Sequence, residues 1–323
     1  MKSFKTYSEQ ADLLISRGLE NDSIKPILEK RLQAVGYYRL SGYLYPFRRT
    51  KKIMGKVEKL DVFREGVMLK TVWSYYLFDR RLRFLIMDAI ERVEISFRSC
   101  IAYEWAKAKG ISNPQSRPGS FAKKYQNIKE GRLKFFQSTY ERSLEDFAFH
   151  FREDKNIDKV EDLPVWVFIQ FSTFGNLHNL YVDGLPLFVR QKIAHVFGFE
   201  EEGFFSSIMA LLLDARNMCA HHSRIWNRKW KYDTTSPKKP KREKMNNIVK
   251  ESSSPLWRTQ EGNFIKDKTA FLLTVLHCFL KYAANTSKWD ERLINLLEES
   301  PPSKSIETEM GFPEGWRNHP LWR

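Results

Sequence analysis

The sequence predicts an all-α fold, a helical bundle behind a small N-terminal helical headpiece. Three observations carry that prediction. Apolar residues recur at three- and four-residue spacing over most of the chain. No set of segments alternates apolar and polar residues as strands do, and no internal repeat occurs. Pro, Gly and Ser gather in short stretches between the periodic ones and act there as breakers.

Residues 1–55 read as the headpiece, with three short helices. Ser8 can cap the first, and Gly18 closes the amphipathic run of Ala11, Leu13, Leu14 and Ile15. Asp22 or Ser23 can start the next, which carries Ile27, Leu28, Leu32 and Val35 before Gly36 ends it. In GYYRLSGYLYPFRR, Tyr37, Tyr38, Tyr43 and Tyr45 interleave with Arg39, Arg48 and Arg49. That mixture suits base stacking with phosphate contact, and equally an aromatic core layer with a basic rim. Lys51–Lys59 is basic and unpatterned, and a loop or linker is expected there.

A helical domain is expected over 60–300. Its first helix runs from Leu60 to about Lys109, with Leu82, Leu85, Ala89, Val93, Phe97 and Ile101 as its core stripe. Beside that stripe runs a charged line of Arg80, Arg83, Glu91, Glu94 and Arg98. Glu94 and Arg98 stand i, i+4 in the favourable order. The line is either an ordinary solvated face or a network that supports a site. Gly110–Ser120 is a loop and opens a basic, aromatic insertion over about 110–160, helical across Phe121–Arg152 and broken at Asp158–Pro164. Val165–Leu180 reads as one apolar central helix, started by Pro164 and bent or ended at Gly175. Pro186–Phe197 is a short helix closed by Gly198, and Phe204–Arg228 is the next. A basic loop fills about 228–262, and the helices Phe264–Ala284 and Trp289–Glu299 follow it. The Pro- and Trp-containing 301–323 is expected to pack over the body as an irregular tail.

Bulk properties narrow the partners. The 323 residues are 42% hydrophobic and 14% aromatic, ample for a real core, which excludes a wholly disordered chain. A formal charge of +15 points to a polyanion, nucleic acid ahead of an anionic membrane. The longest apolar runs, Phe271–Leu280 and Ser207–Leu213, fall far short of the roughly 20 residues of a membrane span. MKSFKTYSEQ lacks the apolar stretch of a signal peptide, so a cytoplasmic location off the membrane is expected. Cys100, Cys219 and Cys278 each lie in an apolar run and read as buried thiols of a reducing compartment. The sequence contains no CxxC pair, phosphate-binding P-loop, dinucleotide fingerprint, zincin motif or nucleophile elbow, so neither a metal nor a cofactor is expected.

Chemistry concentrates in Ala210–Arg228, ALLLDARNMCAHHSRIWNR. Read as a continuous helix, Leu211, Leu212, Ala215, Cys219 and His222 form a buried stripe. Asp214, Asn217, His221 and Arg224 form a polar one about 100° away, with Arg216 between them. One histidine therefore faces polar surroundings, and His222 is expected to point to the core. RNMCAH has the form R-N-x-x-x-H. Cutting RNA without a metal needs a base for the ribose 2′-OH, an acid for the leaving 5′-oxygen, and positive charge on the phosphorane. A histidine titrating near its ordinary value serves as base or acid, and an arginine grips phosphate oxygens through paired N–H groups. Asn217 can hold the imidazole or a phosphate. One copy supplies a single polar-face histidine, so acid and base together imply a homodimer with a composite site. The bland reading makes His221 a surface residue or a helix C-terminal cap, and His222 with Cys219 simply buried. Expected RNA contacts are Arg39, Arg48 and Arg49 in the headpiece and Arg224, Trp226, Arg228 and Lys229 after the motif. In the basic loop they are Lys231, Lys238, Lys239, Lys241 and Arg242, where PKKPKREK looks like a nuclear localisation signal and is read as a phosphate-binding loop.

GYYRLSGY, FDRRLR followed by IERVEISFR, LPVWVFIQFSTFGNL and RNMCAHHSRIWN occur in this order over roughly residues 1–230. In that combination the chain resembles the Abi-like (abortive infection, AbiD/AbiF) proteins of bacteria, of the HEPN superfamily. The resemblance implies a HEPN-like helical bundle and a metal-independent endoribonuclease of phage defence or a toxin–antitoxin system. It implies RNA as substrate, a dimer, and Arg216, Asn217 and His221 as the active-site set. It raises Glu94 and Arg98 to supporting residues, with His222 beside them. A small structured RNA bound as regulator is also implied, as is the alternative of a family member that binds RNA without cutting it.

Overall fold

The computed structural model describes residues 3–20, 24–53, 56–123, 129–230, 268–284, 286–299, 302–318 and 322. Three short helices open the chain: α1 (Tyr7–Ser16), α2 (Ile24–Val35) and α3 (Tyr37–Leu44). Thr6 caps α1, where Ser8 was expected to. The Glu9 N–H donates to Thr6 Oγ1 at 3.3 Å while the Thr6 N–H donates to the Glu9 carboxylate at 2.7 Å. This reciprocal box satisfies two backbone donors at once and leaves Ser8 inside the first turn. Gly36, at φ +77°, ends α2 as expected, and α3 starts directly after it. Asp22 and Ser23 lie outside the described residues.

The expected linker at Lys51–Lys59 is instead part of an antiparallel hairpin, β1 (Arg48–Ile53) and β2 (Lys56–Phe63). It evades the alternation test because its described apolar residues do not gather on a buried face: Val57, Leu60 and Val62 are all exposed, and among the described side chains of these strands Phe63 alone is buried. The hairpin also corrects the start of the long helix. Leu60 belongs to β2, and α4 runs Leu69–Lys109, 41 residues or about 60 Å. All six expected core-stripe residues, Leu82 to Ile101, are buried in it.

In the insertion, α5 spans Lys129–Arg142. The single helix expected over Val165–Leu180 is broken into a turn of α-helix (Val165–Phe168), a 3-10 turn (Ile169–Phe171) and α6 (Phe174–Asn179). The break falls at Ser172–Thr173 and not at Gly175. There the hydroxyls compete for backbone groups, and Thr173 Oγ1 accepts the Asn176 N–H at 3.2 Å as the cap of α6. Next come α7 (Leu187–Val196), α8 (Glu202–Ala220), α9 (Thr269–Ala283), α10 (Trp289–Glu299) and, within the expected irregular tail, α11 (Ile306–Met310). α4 is the axis: α3, α7, α8, α9 and α10 all pack on it. One hydrophobic cluster runs from Ala11 to Trp322. The fold is therefore all-α apart from the hairpin. Among the described residues no helix is long and apolar enough to cross a membrane.

Candidate functional site

The motif helix α8 stops at Ala220, four residues before the end of its expected polar stripe, and what stops it is Asp79 of α4. This side chain is wholly buried, and its Oδ1 accepts the N–H groups of Ile225 (3.0 Å) and Trp226 (2.7 Å). Oδ2 accepts the Tyr43 hydroxyl at 2.6 Å and is paired with Arg83. A chain whose amides are captured this way must leave the helix. The exit is a Schellman turn: the Ser223 N–H donates to Met218 O at 2.8 Å and the His222 N–H to Cys219 O at 3.0 Å. His221 is the last half-helical residue, and His222 takes the left-handed position at φ +57°.

This overturns the placement of His222 on the buried stripe. The turn swings it out, and both histidines are exposed. Burial raises the Asp79 carboxyl above the ordinary aspartate value, opposed by Arg83, Tyr43 and the two amides. Burial, then the Asp79 charge, pushes the Tyr43 phenol up as well. Burial lifts the Cys219 and Cys100 thiols to about 12, so neither is a nucleophile at neutral pH.

Two neighbouring clefts open at the end of α8 and share Phe84 and Met87 of α4 as a common wall. The first, about 610 Å³, brings Arg216 together with Glu94 and Arg98, with Asp88 and Glu91 also on its lining. Arg98 Nη2 donates to Glu94 Oε1 at 2.9 Å and to Ser172 O at 3.0 Å, so the break before α6 helps hold it. Arg216 Nη1 donates to Asn217 Oδ1 at 3.3 Å. The second cleft, about 740 Å³, carries Arg39, Arg80, Arg83 and His222. Arg39 Nη1 donates to His222 O at 2.7 Å, and Arg83 Nη1 to Ser223 O at 3.3 Å. Four cationic or cation-forming groups thus line one depression. His221 is exposed beside these clefts but lines neither of them.

The expected RNA contacts separate. Trp226 is buried, its ring tilted against that of Tyr75 at 4.7 Å, and it is a core residue and not a stacking platform. Its place is fixed by the Asp79 capture of its amide. Arg224 turns inward and donates to Gly42 O. Arg48 pairs with Asp61 at 2.8 Å, while Arg49 is exposed. Arg228 lies over the Trp230 ring at 5.7 Å, and Lys229 is exposed. Lys231, Lys238, Lys239, Lys241 and Arg242 lie outside the described residues. Sequence reasoning missed Asp79, the bond it receives from Tyr43 and the burial of Arg83. The signal was present, because an acid on the apolar stripe of a long helix must find donors. No group of three or more His, Cys, Asp or Glu side chains placed to hold a metal ion occurs among the described residues.

A long axial helix whose middle receives the capped end of an R-N-x-x-x-H helix defines an all-α protein built around that junction. Residues 30–227, more than half of the chain, match the family described as Abi-like protein. The chain belongs to that family, and so to the abortive-infection proteins. Neither the curated proteins nor the solved structures give a match to it.

Proposed function

We propose that this protein is a metal-independent HEPN-type endoribonuclease of an abortive-infection or toxin–antitoxin system, acting in the cytoplasm under the control of a small structured RNA. The observation that carries the reading is the gathering of Arg216, Glu94 and Arg98 at one cleft, with Asn217 hydrogen-bonded to Arg216 and His221 exposed at the end of the same helix. In this reading a histidine takes the proton of the ribose 2′-OH, and the 2′-oxygen attacks phosphorus. The bond from phosphorus to the 5′-oxygen breaks, and a second histidine returns a proton to that oxygen. A 2′,3′-cyclic phosphate and a 5′-hydroxyl are left. Arg216 stabilises the phosphorane, and the Glu94–Arg98 pair holds the wall of the cleft in place.

His221 from each of two copies supplies the acid and the base. The apolar side chains exposed on α4 near Arg216, Phe84 at 63% and Ile95 at 55%, support a second copy covering this face. The second reading, RNA binding without cutting, is favoured by the Arg39–Arg80–Arg83 cleft, which offers phosphate contacts independent of Arg216.

Purified protein incubated with RNA in EDTA decides between them. Cleavage that leaves 2′,3′-cyclic phosphate ends and disappears in folded Arg216→Ala and His221→Ala supports the nuclease. RNA bound but uncut by every form supports the binding protein.

A further inference from the structure

We infer that the β1–β2 ribbon, with the cationic cluster at its root, is a second nucleic-acid arm that grips the phosphodiester backbone of a double-stranded RNA stem. The inference rests on RNA as the partner proposed above and adds a site apart from the two clefts. The ribbon is the entire sheet, with no third strand among the described residues to cover either edge. Residues 48–63 carry six cations, Arg48, Arg49, Lys51, Lys52, Lys56 and Lys59, against Glu58 and Asp61. Arg49, Lys51 and Lys52 are exposed along β1. β2 alone extends about 27 Å, long enough to follow several phosphates.

At the root the charges crowd. Lys59 Nζ donates to Tyr45 O at 2.9 Å and sits 4.6 Å from the Tyr45 ring centroid, and Arg48 approaches the same ring at 5.5 Å. Asp61 is shared between Arg48 and Arg17, at 2.8 and 3.2 Å. Burial, then the charges of Arg64, Arg224 and Arg48, hold the Lys59 ammonium below the ordinary lysine value. A cluster of cations that repel one another is relieved when an anion joins it. Arg224 belongs to the segment that leaves the motif helix, so the cluster connects the ribbon to the motif.

The kind of nucleic acid follows from what the ribbon lacks. Single strands are held by stacking bases on aromatic rings, yet the only ring in residues 48–63 is Phe63, which is buried, and the Tyr45 ring at the root is already engaged by Lys59 and Arg48. Cations without rings read a backbone, and a backbone of fixed spacing is a duplex. Lysines on exposed strands also deter edge-to-edge pairing. That role does not account for the crowding around Tyr45.

The test uses the full chain with Lys51→Gln and Lys52→Gln together, both on the exposed strand, and compares a short blunt RNA duplex with an unstructured single strand of equal length. The expected result is about a tenfold loss of duplex affinity at physiological salt and a fall of about 2 in the slope of log affinity against log salt. Single-strand binding changes less than twofold, and the melting temperature is unchanged. Equal loss on both RNAs, or an unchanged slope, overturns the arm. Self-association of the variant with intact RNA affinity assigns the lysines to edge protection and overturns it too. Loss of binding to phosphatidylserine vesicles with duplex binding intact would give the ribbon to a membrane instead. If the wild type binds neither RNA, the RNA reading itself fails; if it binds the duplex and the variant equals it, only the arm does.

Discussion

His222 occupies a backbone position that glycine usually fills. At φ +57° its Cβ crowds the neighbouring carbonyl, at a cost of about 1–2 kcal/mol, and helices that end in this turn favour a residue without one. Histidine is among the residues that tolerate the conformation, but tolerance does not explain its presence. Its place supplies an explanation, since His222 is exposed and lines the cleft of Arg39, Arg80 and Arg83. His222→Gly therefore separates shape from chemistry. The variant should fold, with stability raised by at most about 1 kcal/mol, because relief of strain is partly offset by the freer unfolded chain. Its affinity for RNA should fall, measured alongside chemical denaturation on the same preparation. A loss of stability would mean that the imidazole holds the turn together. Asp79 illustrates the limit of reading at this scale. Its neighbours in FDRRLR are legible as charges, but four donors arriving from α3, α4 and the segment after α8 are visible only once these elements meet.

At the scale of elements, the break before α6 is a part of the site, because the Ser172 carbonyl it frees accepts from Arg98. Thr173 sets the break by capping α6. Thr173→Ala should cost about 1 kcal/mol in urea denaturation, the ordinary worth of such a cap. It should also loosen Arg98, seen as a lower cleavage rate beyond what the lost stability explains. Thr173→Ser, which keeps the hydroxyl, should restore both. The same segment shows how periodicity misleads. LPVWVFIQFSTFGNL is apolar enough for one helix, and Gly175 looks like its weak point, yet a hydroxyl pair two residues earlier ends it. The core stripe of α4 and the glycine ends of α2 and α7 were legible, since burial and positive φ leave direct marks on residue type. The ribbon was not, since a strand pair solvated on both faces carries no apolar alternation. The clefts were half legible: Arg216, Glu94 and Arg98 follow from the pattern and the family resemblance. The exit of the chain at His222, which decides where each histidine points, depends on Asp79 and so on tertiary structure.

Across the whole molecule, the last residues close the fold. Ile306, Met310, Phe312, Trp316 and Trp322 are buried, and the Trp322 ring stacks on His277 of α9 at 4.6 Å. Glu307 fastens this cover. Its carboxylate accepts Arg317 Nη2 at 2.7 Å, Arg317 Nη1 at 2.8 Å and Trp316 Nε1 at 2.6 Å. Arg317 also reaches Glu298 of α10 at 3.5 Å. Burial by itself would raise the Glu307 pKa, but the bonds from Arg317 and Trp316 outweigh it and hold the group below its ordinary value of 4.5. The sign follows from linkage: a carboxylate depressed in the folded state contributes stability that is complete above the unfolded value. That contribution is lost as pH falls through the lower folded one. Wild type and Glu307→Gln should therefore differ most in urea midpoint near neutral pH, with the variant weaker. The two curves should draw together as pH falls through the ordinary glutamate value and meet only below the lower folded one, where the wild-type carboxyl is itself neutral. Tryptophan fluorescence reports the release directly, because Trp316 and Trp322 belong to the cover and are buried while it is closed. A difference between the two proteins that persists unchanged into acid would show that Glu307 acts by shape and not by charge, and the tail would then be held by its apolar contacts alone.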